Sequence, residues 1–114
     1  MADDEHDDGA VRLRKLIDVV VEDKVSFMLF RATIADISAT GMRVISDQYL
    51  PKGTRYTFSF KRAPNFVLRG EVRWLRPQER ETFQCGVHFV DLTDEDRRKL
   101  IEFVEIERLR VPSS

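Results

Sequence analysis

Between two β-like runs, the stretch Ile34-Ala35-Asp36-Ile37-Ser38-Ala39-Thr40-Gly41-Met42 sets a carboxylate, a hydroxyl and a glycine in a D-x-S-x-x-G spacing. Asp36 supplies acceptor oxygens, Ser38 a hydroxyl that both donates and accepts, and Gly41 a point where the backbone can take positive φ or another molecule can come close. Together they suit recognition of a polar, hydrogen-bonding ligand. A tight turn uses the same residue types for its own bonds, so turn and site are both open on these letters alone. Cations that could join them stand at Arg12, Arg14 and Lys15, ahead of the first apolar run, and at Arg43 just after the motif.

The elements that must position these residues are mostly strands. From Val11 to Asp91 short β-branched or aromatic segments alternate with turn residues, and the pattern predicts strands near Leu16–Glu22, Ser26–Ile37, Met42–Ser46, Tyr56–Lys61, Phe66–Leu75 and Phe83–Asp91. Period-two alternation puts Phe66, Leu68, Gly70, Val72 and Trp74 inward and Val67, Arg69, Glu71, Arg73 and Leu75 outward. Tyr56, Phe58 and Phe60 alternate with Thr57, Ser59 and Lys61 in the same way, as expected of a sheet curled around one core. After Leu92 the period becomes helical: Thr93 is the expected N-cap, Asp94, Glu95 and Asp96 fill the first turn, and Leu100, Ile101, Phe103, Val104 and Leu109 form an apolar stripe. The fold class predicted is all-β, a six-stranded antiparallel barrel closed by a C-terminal α-helix. An acidic, disordered tail over residues 1–10, a domain over 11–109 and a short tail over 110–114 complete the expected organisation.

Composition narrows the functions. A chain of 114 residues with 42% hydrophobic and 34% charged residues is one soluble domain, and no apolar run approaches a membrane span. Met1 is followed by acidic residues rather than a basic, then apolar leader, so the expected location is cytoplasmic. The single Cys85 excludes an internal disulfide, and with only His6 and His88 beside it no metal-ligand spacing exists; no metal and no cofactor are expected. Cys85 falls on the inward face with Phe83, Val87 and Phe89 and reads as a core thiol, while His88 reads as a solvated strand residue. Five acids lie within residues 3–8, so the net charge of −1 conceals a body of charge +4. That body can hold a small anion but is too weakly basic to argue for nucleic acid. An oligonucleotide-binding barrel is further disfavoured because its aromatics fall inward, and no nucleophile–base pair or phosphate loop suggests an enzyme.

Taken in order, Ile34-Ala-Asp36-Ile-Ser38-Ala-Thr-Gly41-Met, Leu50-Pro-Lys-Gly53-Thr, Gly70-Glu-Val-Arg-Trp74 and Cys85-Gly86-Val-His-Phe89-Val-Asp-Leu92 resemble the PilZ domain family over about residues 11–105. The wording is most similar to PilZ-like proteins of myxobacteria and their relatives. The resemblance implies a signalling module that binds the bacterial second messenger cyclic di-GMP through an R-x-x-x-R element and the D/N-x-S-x-x-G, and that regulates motility or surface behaviour through protein contacts. It assigns ligand contacts to Arg12, Arg14, Asp36, Ser38 and Gly41: guanidinium groups for guanine edges and phosphates, Asp36 for guanine N–H groups, Ser38 for a base edge or phosphate, and Gly41 to keep the turn open. The first element departs from the family, because Asp8 stands four residues before Arg12 and Ala10 four before Arg14. Lys15 and Arg43 are the further cations that could compensate. Two functions follow: a cyclic di-GMP receptor whose N-terminal segment responds to ligand, or a degenerate adaptor acting only by protein–protein interaction, with Arg69 and Arg73 on its outer face. A protein partner from a motility or signalling system is expected in either case, without nucleic acid or membrane insertion.

Overall fold

The computed structural model describes residues 12–60 and 67–109. Six strands, β1 (Leu13–Asp23), β2 (Met28–Ile37), β3 (Gly41–Ser46), β4 (Arg55–Phe60), β5 (Val67–Pro77) and β6 (Phe83–Val90), are followed by the helix α1 (Asp94–Leu109). They close into a barrel in the order β1-β2-β3-β6-β5-β4, every neighbouring pair antiparallel. The expected fold is thus the observed one, with strand ends shifted by a few residues. The expected tails at residues 1–10 and 110–114 lie outside the described residues, as do the ends at Lys61 and Phe66 of two expected strands.

Alternation fills the barrel. Val19, Val21, Ile34, Val44, Phe58, Leu68, Val72 and Cys85 point inward and are fully buried, each large side chain contributing about 1.5–3 kcal/mol of burial. Thr57 is an exception to the expected wet face: it has the outward parity yet is buried, between the longer Glu22 and Arg69 on the neighbouring strands. Cys85 is the expected core thiol, and burial pushes its pKa up to about 11. No helix among the described residues is long and apolar enough to cross a membrane.

Thr93 caps α1 reciprocally, its Oγ1 accepting from the Asp96 N–H at 3.0 Å and its own N–H donating to Asp96 Oδ2 at 3.3 Å. The stripe that packs on the barrel is Leu100, Phe103, Val104 and Glu107, at i, i+3, i+4 and i+7; Phe103 meets Phe60 edge-on at 5.9 Å. Ile101 and Leu109, expected on that stripe, are instead exposed. Its fourth position goes to a carboxylate: Glu107 is 2% exposed and accepts from Lys15 Nζ at 2.5 Å, tying the last turn of α1 to β1.

One alternation error bears directly on the site. Trp74 was expected inward and Leu75 outward, but β5 carries an extra residue at Arg73, where Val72 pairs with Val87 and Trp74 with Gly86. A bulge of one residue reverses every later side chain. Trp74 therefore lies half-buried on the outer surface, and Leu75 packs against the core.

Candidate functional site

Two further bulges occur in the same band of the barrel. In β1 the pairing with β2 slips between Arg14 and Ile17, and in β2 the pairing with β3 slips between Ile34 and Asp36. Without the second slip Asp36 would follow Ile34 into the core; with it, Ile37 takes the inward position and Asp36 the outer one. Past the three bulges the register aligns one row across five strands: Arg14 opposite Asp36, Asp36 opposite Arg43, Arg43 opposite Gly86, and Gly86 opposite Trp74. Four strand steps of about 4.8 Å give that row a length of about 19 Å.

Asp36 is 0% exposed although it belongs to this outer row, because two guanidiniums cover it. Arg12 Nη1 donates to Oδ1 at 2.5 Å, and Arg43 donates to Oδ2 from Nε at 2.5 Å and from Nη2. The arginines remain 27% and 41% exposed, so the carboxylate holds their inner donors while other N–H groups of each five-donor fork face outward. Asp36 thereby orients two cations toward each other.

Ser38 and Gly41 build the turn that carries this geometry. The Ser38 N–H donates to the Gly41 carbonyl at 2.8 Å, while the buried Ser38 hydroxyl accepts from the Thr40 N–H at 3.2 Å and lies 3.2 Å from Thr40 Oγ1. Gly41 is required by close packing: a Cβ there would run into the Val87 carbonyl of β6. On its other side the turn borders a cleft of about 290 Å³ lined in part by Thr40, His88, Leu92 and Arg97.

The far end of the row is aromatic. Trp74 lies across Gly86, where any Cβ would overlap its indole, and the Arg76 guanidinium covers the ring at 4.7 Å from the centroid. Arg76 is exposed and thus presents a flat, cationic surface fixed by the ring beneath it. Neither Trp74 nor Arg76 was a candidate from sequence, since the signal lay in the bulge at Arg73, whereas Gly86 opposite a tryptophan was legible only once the register was known.

Of the expected site residues, the structure brings Arg12, Asp36 and Arg43 into contact, with Arg14 beside them, exposed and without an ion pair among the described residues. Ser38 and Gly41 support the same turn. Lys15 is not brought to the row; it is held by Glu107. On the outer face Arg69 pairs with Asp91 at 2.8 Å and Arg73 with Glu71 at 3.7 Å. No group of three or more His, Cys, Asp or Glu side chains among the described residues is arranged to hold a metal. The row is thus a strip of four guanidiniums, one masked carboxylate and one indole, suited to an anion with flat, hydrogen-bonding rings.

A family model described as PilZ domain matches residues 9–105. A comparison with curated proteins finds no match. Among solved structures, the chain is similar to the inhibitor of motility MotI/DgrA of Bacillus subtilis (TM-score 0.71, 18% identity, 91% of this chain and 52% of that one). It is similar to the PilZ domain of Escherichia coli YcgR solved with c-di-GMP (TM-score 0.69, 14% identity, 90% and 94%). It is also similar to K. pneumonia MrkH in its c-di-GMP complex (TM-score 0.77, 12% identity, 92% and 54%). The chain spans about half the length of MotI and MrkH and nearly all of the YcgR domain. At these identities the likeness establishes the fold.

Proposed function

The chain belongs to the PilZ domain family, and we propose that it is a cytoplasmic, non-enzymatic receptor module that binds cyclic di-GMP along the row from Arg12 to Trp74 and passes the signal to a protein partner. The observation that carries this reading is the Asp36 clamp, which fixes the Arg12 and Arg43 guanidiniums side by side at the edge of the D-x-S-x-x-G turn. Arg43 then supplies the second fixed guanidinium that the incomplete R-x-x-x-R element lacks. The ligand is a double anion with two guanines. Its phosphates suit the outward donors of Arg12, Arg14 and Arg43, and a purine suits the flat surface of Arg76 on Trp74. Asp36 serves here by positioning the arginines, and Ser38 by holding the turn. YcgR and MrkH, which share the fold, were solved with this nucleotide.

Isothermal titration with cyclic di-GMP tests the reading. Arg12→Ala and Arg43→Ala each weaken binding at least about tenfold, the effect of losing one charge-assisted hydrogen-bonding group. Lys15→Ala, whose side chain faces the helix, leaves the affinity within about twofold. Absence of heat at tens of micromolar nucleotide would sink the proposal.

A second reading, a protein-binding adaptor without nucleotide, is favoured by one specific observation at the β1–β2 hairpin. Val25, Phe27, Met28 and Leu29 are all exposed there, and Phe27 takes the left-handed φ of 64°, which is unfavourable for an aromatic residue. The turn is nevertheless built, with the Phe27 N–H donating to the Asp23 carbonyl at 2.7 Å and the Val25 N–H to Asp23 Oδ1 at 2.9 Å. This reading predicts that Phe27→Ser abolishes partner capture while Arg43→Ala has no effect.

A further inference from the structure

Barrel closure leaves part of β2 without a neighbour. The strand pairs with β1 from Met28, opposite Asp23, to Ile37, opposite Leu13, but with β3 only from Thr33, opposite Ile45, onward. β3 is stopped at Ser46 by a turn of its own. The Ser46 hydroxyl accepts from the Gln48 N–H at 2.8 Å and donates to the Gln48 carbonyl at 3.1 Å, and the chain then runs to the buried Leu50. No strand among the described residues therefore lies along the second edge of Met28–Arg31. An open edge presents unpaired N–H and C=O groups and joins another extended chain unless proline, a bulge or charge blunts it. Met28, Leu29 and Phe30 supply none of these, and Arg31 is the single charge. Met28 and Leu29 are exposed and continue into the exposed Phe27 and Val25 at the hairpin tip, so apolar surface and open backbone coincide.

We infer that this edge is a self-association surface, at which β2 of a second copy of the chain adds antiparallel about a two-fold axis. Charge and symmetry select that occupant. A strand that meets its own copy edge to edge in this way is antiparallel, and the side chains keep their faces when the axis passes through a residue pair. Centred on Phe30, the pairing uses strand residues throughout: Phe30 meets the partner's Phe30, Met28 the partner's Ala32, and Leu29 the partner's Arg31. Centring on Leu29 would instead recruit Phe27, whose φ of 64° is not extended. On the outer face the joined row then reads Glu22, Leu29, the partner's Arg31 and the partner's Val20. Glu22 and the partner's Arg31 stand two strand spacings apart, about 10 Å, a gap their long side chains close over Leu29. Arg31 is exposed and makes no ion pair among the described residues, while Glu22 meets Lys24 at 3.8 Å, the long limit of an ion pair. The two-fold axis makes the new pair twice. One short edge and a hairpin tip fall below the ~800 Å² per partner of a tight dimer, so the association is weak and concentration-dependent. Asp36 lies five residues beyond Arg31 on β2, about 17 Å away, so the row around it stays open in monomer and dimer alike.

The inference is independent of nucleotide binding, and so is its test. Sedimentation velocity of the full chain without nucleotide, from about 10 μM to about 1 mM, is expected to show the 13.3 kDa monomer converting to a dimer. Arg31→Glu sets like charges beside Glu22 and raises the dissociation constant at least about fivefold. Leu29→Lys, which places a charge on the open edge, does the same. The exchanged pair Glu22→Arg/Arg31→Glu returns the constant to within about twofold of the natural value, which a merely sticky hairpin tip cannot produce. Leu29 and Arg31 are surface positions, and circular dichroism checks that each variant is folded. A chain that stays monomeric at every concentration overturns the inference and leaves the edge to a strand of another protein. A dimer indifferent to Arg31→Glu, or one that the exchanged pair does not restore, overturns it as well.

Discussion

Removing Asp36 sets two effects against each other, and their sizes decide which prevails. Asp36→Ala deletes a fully buried carboxylate that accepts from Arg12 on one oxygen and Arg43 on the other. Breaking a wholly buried ion pair costs about 3–5 kcal/mol. The arginines left behind are 27% and 41% exposed and can rehydrate, which brings the expected loss to about 2–3 kcal/mol, or on the order of 10 °C in Tm. For an anionic ligand, the deletion also removes a like charge nearby, which by Coulomb's law at an intermediate dielectric would strengthen binding by roughly 1 kcal/mol. Against this, the two released guanidiniums regain rotamer freedom worth up to about 2 kcal/mol each, all of which must be lost again on binding. Positioning prevails, and Asp36→Ala binds cyclic di-GMP about tenfold to a hundredfold more weakly despite its more favourable charge. Urea unfolding followed by circular dichroism measures the first quantity, and titration calorimetry at a temperature where the variant is folded measures the second. A folded Asp36→Ala protein that binds as tightly as the natural sequence, or more tightly, would refute the claim that Asp36 acts by holding Arg12 and Arg43.

Three other outcomes follow from the packing. Gly86→Ala places a Cβ inside the Trp74 indole, so the ring must leave the row; Trp74 fluorescence shifts to the red and nucleotide binding weakens at least about fivefold. Glu107→Ala removes the carboxylate that ties α1 to Lys15 and lowers stability by about 2–3 kcal/mol in urea unfolding, with nucleotide affinity unchanged once folding is restored by lower temperature. The Cys85 thiol, raised by burial from 9.0 to about 11, keeps its proton in the folded state while the unfolded thiol ionises. Stability therefore falls as pH rises from about 9 to 11, by up to about 2–3 kcal/mol, and the comparison of urea midpoints with Cys85→Ala isolates that loss.

The sequence made the barrel legible because its strands alternate cleanly: Tyr56, Phe58 and Phe60, or Cys85, Val87 and Phe89, can face only one core. The helix was equally legible from the Thr93 cap and its acidic first turn. What the letters concealed were the bulges at Lys15–Leu16, Ala35 and Arg73, since an extra residue leaves no compositional mark and yet reverses every side chain after it. Trp74 was therefore assigned to the core when it lies on the outer surface over Gly86. Asp36, Ser38 and Gly41 were found by their spacing, and the bonds the structure gives them run within the protein. Asp36 holds arginines, Ser38 closes the turn, and Gly41 admits β6, so the motif shapes the outer surface along which Arg12, Arg43 and Trp74 lie. Glu107 shows the converse case: its place on the i, i+7 stripe was implied by helical periodicity, and its charge obscured it.

The central claim is that cyclic di-GMP lies along the row from Arg12 to Trp74, and chemical-shift mapping of the nitrogen-15-labelled chain during titration with the nucleotide tests it most directly. The account predicts saturable shifts in the Arg14, Asp36, Arg43 and Gly86 amides and in the Trp74 indole N–H, with the Val25–Leu29 hairpin and the cleft at His88 and Arg97 unmoved. Shifts confined to that cleft or to the hairpin, or no saturable shift at all, would contradict it.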